Sequence, residues 1–192
     1  GIGAGIGRMT EIREDIEEIA DTVGLDFSVN VLFNEIGEIT AIFAGHFRDA
    51  HRKTMELAKK LYKTELTLGN QICFFNAYPE DSELNQSIKC FNLLMTAPNA
   101  FLERKGTIVF MSSSYEGKGY HSLSGETGAR LYSNLGDMII WKGFVKRRTV
   151  FFFSPNISEA DLYHYYPKSV KLFKEWDALI EELENMKGGE EE

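Results

Sequence analysis

The first 62 residues pass from helical to strand-like spacing of apolar positions and back to helical spacing. The first stretch repeats at intervals of four, three and four residues, at Ile12, Ile16, Ile19 and Val23. With acidic residues between them, these positions predict an amphipathic helix over residues 10–23. Strict alternation follows at Phe27, Val29, Val31 and Phe33 and predicts a strand over residues 27–34. A turn at 35–37 and a second strand at 39–44 complete a β-hairpin, and an amphipathic helix is predicted over residues 48–62.

The rest of the chain is organised around continuous apolar runs at residues 72–75, 107–111 and 149–153. Such runs are typical of strands buried on both faces of a parallel sheet. Helices are predicted at 84–95, 128–135 and 177–186, and a further strand near 138–141. Strands that alternate with helices in this way predict a three-layer α/β/α fold, with a mostly parallel sheet and an added N-terminal β-hairpin.

Length and charge narrow the class of protein. The chain has 192 residues, 43% of them hydrophobic, and a formal net charge of -8. We expect residues 1–9 to be a linker or a cut end, residues 10–187 to form a single α/β domain, and residues 188–192 to be a disordered acidic tail. An acidic chain is poorly suited to sequence-independent nucleic-acid binding, which needs a basic surface.

The same composition favours a cytoplasmic protein without membrane contact. No apolar stretch approaches the roughly 20 residues of a membrane-spanning helix, and the N-terminus lacks a basic region followed by an apolar one. Cys73 and Cys90 lie in apolar stretches without metal-ligand spacing, as reduced thiols of a cytoplasmic core do.

Two loops follow predicted parallel strands, at residues 76–83 and 112–121. Ligands of open parallel sheets bind beyond the carboxyl ends of the strands, so these loops are the candidate site. The first loop leads into a helix on which Gln86 and Lys89, three positions apart, share a face. Backbone N–H groups of a helix start favour anions, so an amide and an ammonium group there predict a carboxylate clamp.

Further candidates flank this pair. Tyr78 and Asp81 are candidate substrate-binding residues on the first loop. The second loop offers Glu116, Gly117, Gly119 and His121. A surface Gln and Lys on an amphipathic helix and a solvated loop histidine remain the alternative interpretation. His46 and His51 are five positions apart, whereas a helical metal site uses three or four, so no metal site is predicted in this chain.

The ordered motifs resemble a known family. Residues 23–32, then Phe43-Ala44-Gly45 and Ala50-His51-Arg52, are similar to the start of the C-terminal half of lactate racemase, a nickel-pincer nucleotide enzyme. So are the segment 77–81, the Gln86-x-x-Lys89 pair, and the segments 106–108 and 116–119. The resemblance runs over residues 13 to about 125 and is weaker from there to residue 186.

The resemblance implies an isomerase, a racemase or epimerase of 2-hydroxy acids. In that family the nickel-pincer nucleotide takes a hydride from the substrate C2 and returns it to either face, while a histidine pair acts on the hydroxyl. Those histidines and the cofactor-bearing lysine belong to the N-terminal half, which we expect to lie outside residues 1–192 as the partner of this domain. No residue of this chain is therefore assigned as catalytic. Gln86 and Lys89 correspond to the pair that contributes to the substrate site from the C-terminal half.

One position departs from the family. The residue before the Gln is usually Tyr and is Asn85 here, which changes the pocket wall and leaves the 2-hydroxy acid unassigned. Two functions follow as hypotheses. The first is the substrate-orienting C-terminal domain of a lactate-racemase-like enzyme, inactive alone. The alternative is a non-enzymatic small-anion-binding or structural α/β domain.

Overall fold

The structure is a computed structural model that describes residues 9–87, 101–120 and 148–188. The chain divides into two compact units, Gly1–Glu65 and Leu66–Glu192. The expectation of one domain over residues 10–187 stays a prediction.

The first unit contains the predicted helix, hairpin and helix. Its elements are α1 (Glu11–Thr22), β1 (Ser28–Phe33), β2 (Ile39–Gly45) and α2 (Phe47–Leu61). Thr10 begins α1, since its side chain accepts a hydrogen bond from the backbone N–H of Arg13. The two strands pair antiparallel, with Val31 opposite Ile42, and the turn between them is closed by a bond from the N–H of Gly37 to the carbonyl of Asn34. The predicted helices and hairpin are confirmed.

Helix α2 packs on one face of this hairpin. It contacts both strands and buries Phe47 and Ala50, while Leu32 is buried on β1. Because side chains alternate along a strand, Val29 and Phe33 point to the other face, and both are exposed. The apolar face predicted for the first strand is thus the one that α2 leaves uncovered.

The second unit is built on a parallel sheet. Its described strands are β3 (Asn70–Asn76), β4 (Leu102–Met111), β5 (Thr149–Phe153) and β6 (Lys171–Phe173). They lie in the order β3-β4-β5-β6, and each neighbouring pair is parallel. The described helices are α3 (Leu84–Ser87), α4 (Glu159–Tyr165) and α5 (Trp176–Gly188).

Alternation along the central strands divides the core into two layers. Ile108 and Phe110 of β4 face a cluster that includes Leu84 of α3 and Leu162 of α4. Val109, between them, faces a second cluster completed from α5. Apolar side chains on both faces of β4 and β5 are therefore covered by helices. The three-layer α/β/α fold with a mostly parallel sheet and an added hairpin is confirmed.

Three details differ from the sequence predictions. Strand β3 is an edge strand of the described sheet and Phe74 is exposed there, so the prediction that this run is buried on both faces is wrong for β3. Helix α4 and strand β6 were not predicted. The predicted elements at 128–135 and 138–141, and the helix beyond residue 87, lie outside the described residues.

The helices in the described ranges are too short or too polar to cross a membrane. Cys73 is a free, half-buried thiol on β3, and its burial raises its pKa.

Candidate functional site

The carboxyl ends of the parallel strands are held together by hydrogen bonds that continue one residue past the sheet. The N–H of Ala77 donates to the carbonyl of Met111 at 2.9 Å, and the N–H of Ser112 donates to Phe153 at 3.1 Å. Ser154 repeats the pattern toward β6, with a 2.9 Å bond to Phe173. The loops that follow β3 and β4 therefore start from fixed positions.

The two predicted loops meet. The N–H of Ser114 donates to the carbonyl of Asp81 at 2.7 Å, and the N–H of Glu116 donates to Ser82 at 2.9 Å. The loop after β4 thus lies along the loop after β3 at the carboxyl edge of the sheet, the position expected for a ligand site in this fold.

The start of α3 is already capped by this second loop. The N–H groups of Leu84 and Asn85 donate to the carbonyls of Gly117 and Lys118, at 3.0 and 3.2 Å. A backbone N–H can serve only one strong acceptor well, so these two donors are not open to a substrate anion. The expectation that backbone donors of this helix start assist an anion is wrong for these two groups.

Three buried serine hydroxyls join α3 to the end of β4. The Oγ atom of Ser112 lies 2.5 Å from that of Ser87 and 2.7 Å from that of Ser114. Ser87 also donates to the carbonyl of Glu83 at 2.9 Å. Ser114 is fully buried with a φ of 46°, a left-handed conformation that is uncommon for a residue with a Cβ. A chain of satisfied hydroxyls in the core stabilises one arrangement of the two loops.

Glu83 fills the space beside the second loop. Its Oε2 accepts a hydrogen bond from the N–H of Tyr120 at 3.3 Å. Gly119 has a φ of 72°, and a Cβ atom at that position would lie within 3.0 Å of the Glu83 side chain. Only glycine fits this close approach without displacing the carboxylate.

Asn85 connects the first turn of α3 to α4. Its side-chain Nδ2 donates to the hydroxyl of Tyr165 at 3.1 Å, and both residues are buried. Burial raises the pKa of Tyr165, the bond from Asn85 lowers it in part, and the charge of Glu83 raises it further. The tyrosine is therefore a neutral hydroxyl at physiological pH.

A second titratable group lies at the start of α4. Ser158 caps the helix by accepting from the N–H of Asp161 at 3.2 Å, while Asp161 Oδ2 accepts from the Ser158 N–H at 2.9 Å. Hydrogen bonds from the side chain and backbone of Ser158 hold the pKa of Asp161 below its usual value, and the charge of Lys118 lowers it further.

The candidate residues that the structure describes differ in their exposure to solvent. Gln86 is half-buried in the first turn of α3, next to the two capped N–H groups. Tyr78 and Glu116 are exposed, and Asp81 is half-buried with its carbonyl bonded to the second loop. Gly117 adopts a φ of 76°. Lys89 and His121 lie outside the described residues.

Sequence reasoning missed Glu83, the serine cluster and Tyr165. Two of the serines carried a signal, because Ser112 and Ser114 follow a buried strand where a binding loop is expected. Tyr165 carried none, since it lies 80 positions from Asn85 in sequence.

No group of three or more His, Cys, Asp or Glu side chains within the described ranges is arranged to hold a metal ion. His51, in the first unit, has a buried Nδ1 atom without a hydrogen-bond partner, and burial lowers its pKa, with Arg13 adding to that effect. The described residues therefore offer no ligand set for a resident nickel group.

Sequence comparison identifies a relative with an assigned activity. The chain is 29% identical over 128 residues to the lactate racemase of Lactiplantibacillus plantarum, and the match lies in the C-terminal part of that protein. This chain is a lactate-racemase-like homologue. The match covers 66% of the chain and 27% of the relative, so the lactate-racemase-like chain spans about a quarter of the relative's length.

The fold of the lactate-racemase-like chain also has a counterpart among solved structures. It is similar to the lactate racemase apoprotein from Thermoanaerobacterium thermosaccharolyticum, with a TM-score of 0.55 and 15% sequence identity. The similarity covers 85% of this chain and 48% of that one, and at this identity it shows the fold alone. The chain matches no protein-family model.

Proposed function

We propose that this chain is the substrate-orienting, C-terminal part of a nickel-pincer-dependent 2-hydroxy acid racemase or epimerase. In this proposal the amide of Gln86 and the ammonium group of Lys89 bind the substrate carboxylate. The observation that carries it is the match to the C-terminal part of lactate racemase, over the same residues whose loops meet at the carboxyl edge of the sheet.

The geometry supports recognition by side chains. Since the N–H groups of Leu84 and Asn85 are capped by the second loop, these two donors do not compete with side chains for an anion. A half-buried Gln86 is well suited to the task, because partial burial strengthens a hydrogen bond to a carboxylate. An ammonium group adds the charge that makes such a bond strong.

The cofactor and the catalytic histidines belong, in this proposal, to an N-terminal domain of the same protein. When bound there, the nickel-pincer nucleotide supplies a hydride acceptor for the substrate C2. The present chain binds the carboxylate, fixes its orientation and closes one side of the site, so that water is excluded. Its partners are that domain and a small 2-hydroxy acid.

Ligand titration of the chain tests the binding step. We expect sodium L-lactate or D-lactate to shift backbone amide NMR signals of residues 78–87 and 112–120. Gln86→Ala and Lys89→Ala should each weaken binding about tenfold or more, as loss of a charge-assisted hydrogen bond does. The matched controls are Gln71→Ala and Lys105→Ala, which remove the same two groups from exposed positions at the opposite end of β3 and β4. Equal losses in the control variants would contradict a specific clamp.

Activity measurements test whether catalysis requires the N-terminal half in addition to this chain. The chain alone should bind no stoichiometric nickel and should not exchange the C2 hydrogen of lactate with solvent deuterium. In a protein that carries both halves, made together with the cofactor-forming enzymes, Lys89→Ala should abolish racemisation while nickel content stays unchanged. Racemisation by residues 1–192 alone would contradict the proposal, and binding without C2 exchange in the longer protein would favour a non-enzymatic anion-binding domain.

A further inference from the structure

The hydrogen bond between Asn85 and Tyr165 ties the first turn of α3 to a fixed point. The ring of Tyr165 belongs to the buried cluster that also contains Leu84, Phe110 and Leu162. Its hydroxyl, 3.1 Å from Asn85 Nδ2, is therefore held by the core on one side and by α3 on the other.

The backbone bonds from Leu84 and Asn85 to Gly117 and Lys118 attach α3 to the second loop. The Asn85 side chain attaches the same turn to α4. The contact between Ser87 and Ser112 attaches α3 to the end of β4 as well. Attachments in different directions together fix the rotation of the helix about its own axis, and the bond to Tyr165 is the one that comes from α4.

Gln86 follows Asn85 directly, so its direction depends on that rotation. Successive residues of a helix point about 100° apart, and a side-chain tip lies roughly 6 Å from the axis. A rotation of about 20° would then move the Gln86 amide by about 2 Å. A misplacement of about 1 Å is enough to impair an oriented contact severely.

We propose that Tyr165 is a positioning residue that acts through Asn85 to aim the Gln86 amide into the substrate site. This inference rests on the proposed function of Gln86. It assigns a role to α4, a helix that no sequence motif connects with the site.

Tyr165→Phe tests the inference, because it removes the hydroxyl and keeps the ring in the core. We expect the side-chain amide NMR signals of Gln86 to shift and broaden, and the affinity for lactate to fall roughly threefold to tenfold. Asn85→Ala should reproduce both effects, and the double variant should be no worse than either single one, since both remove the same bond. Tyr163→Phe, a half-buried tyrosine on the same helix, is the matched control and should change neither signal.

A second double-mutant cycle, between Tyr165 and Gln86, separates a positioning role from a general loss of stability. In a Gln86→Ala background, Tyr165→Phe should no longer reduce lactate affinity. If it reduces affinity as much as in the parent chain, Tyr165 does not act through Gln86 and the inference is wrong.

The inference and the proposed function fail in different ways. Absence of lactate binding in the parent chain, or binding unaffected by Gln86→Ala, would overturn the proposed role of Gln86. The Gln86 amide signals still decide the positioning role in that case, because they are measured without ligand. Unchanged signals in Tyr165→Phe and Asn85→Ala would overturn it, and changed signals in both would support it.

Discussion

The carboxylate of Glu17 on α1 accepts a hydrogen bond from Nε of Arg48 on α2 at 3.1 Å, across 31 positions of sequence. Arg52 Nη2 lies 3.4 Å from the same carboxylate oxygen, and the other oxygen accepts a hydrogen bond from Nε of Arg13 at 3.1 Å. Glu17 is the buried residue of α1, whose apolar positions are largely exposed. An ionic cluster thus attaches α1 to α2.

We expect Glu17→Gln to lower the free energy of unfolding of the first unit by about 1–3 kcal/mol, because the arginines lose a charged, buried acceptor. Urea unfolding followed through backbone NMR signals of residues 10–62 measures the change. Glu18→Gln, an exposed neighbour on the same helix, should be close to neutral. A loss of equal size in both variants would contradict a specific role for the cluster.

Acid should weaken the same contact. Burial of Glu17 opposes ionisation, but the hydrogen bonds from Arg13 and Arg48 outweigh it, so its pKa lies below the ordinary value of 4.5. A group whose pKa is lower in the folded state stabilises above its unfolded value and loses that contribution as pH falls through the folded one. The parent chain should therefore lose more stability between pH 5 and acid pH than Glu17→Gln does. Parallel losses would show that other groups govern the acid transition.

Helix α4 should depend on its cap. Ser158→Ala removes the oxygen that accepts from the Asp161 N–H, and such changes typically cost about 1 kcal/mol. Thermal unfolding of the second unit reports the loss. Ser169→Ala, at an exposed position after the helix, serves as the control. An unchanged midpoint in Ser158→Ala would mean that packing of Leu162 and Tyr165 alone maintains the helix.

Two glycines of the second loop provide a matched pair. Both Gly117 and Gly119 have φ above 70°, but only Gly119 has a side chain, that of Glu83, in the space a Cβ would occupy. Each substitution by Ala should cost about 1 kcal/mol of backbone strain. Gly119→Ala should lose more, and should weaken protection of the Tyr120 amide in hydrogen exchange. Equal destabilisation would show that Glu83 moves aside freely.

Alkaline pH should lower the stability of the fold through the ionisation of Tyr165. Its pKa lies above the ordinary 10.0, chiefly because burial disfavours the phenolate. Between the two pKa values the unfolded chain has lost the tyrosine proton, whereas the folded state keeps it. The stability that the neutral, buried Tyr165 contributes is therefore complete below pH 10.0 and declines as pH rises toward the pKa of the folded state. NMR of ¹³Cζ-labelled tyrosine, with Tyr165→Phe to assign the signal, measures this titration. A midpoint for Tyr165 at or below the ordinary 10.0 would contradict it.

Periodicity located the elements that carry a regular apolar pattern. Helix α1 begins and ends within one residue of the predicted bounds, and β5 matches the predicted run. The apolar period did not predict which side chains are buried. Ile12, Ile16 and Ile19 repeat at helical spacing and are nevertheless 45–63% exposed. A period specifies which residues share a face, whereas burial depends on what packs against that face.

Helix α4 and strand β6 escaped prediction for a physical reason. The segment around Tyr163 to Tyr166 is aromatic on several sides of the helix, so it lacks a clear period, and β6 is only three residues long. Ser158 and Asp161 did form a recognisable capping box, with the serine three positions before the acid. That local signal would have marked the helix start.

The site was predictable as far as topology determines it. Parallel strands place the loops after β3 and β4 at one edge, and the hydrogen bond from the N–H of Ser114 to the carbonyl of Asp81 joins them there. The side-chain partners of those loops come from distant parts of the chain, as Tyr165 does. Such pairings depend on packing in three dimensions, which spacing along a single sequence does not encode.

The close approach of Gly119 to Glu83 has a consequence for how this sequence can diverge. A larger residue at position 119 should cost less stability once position 83 has become smaller, whereas a shortened side chain at 83 leaves Gly119 acceptable. The order of the two changes is therefore restricted during evolution. In homologous sequences the residues at positions 83 and 119 should covary, with glycine at 119 wherever position 83 keeps a long acidic side chain.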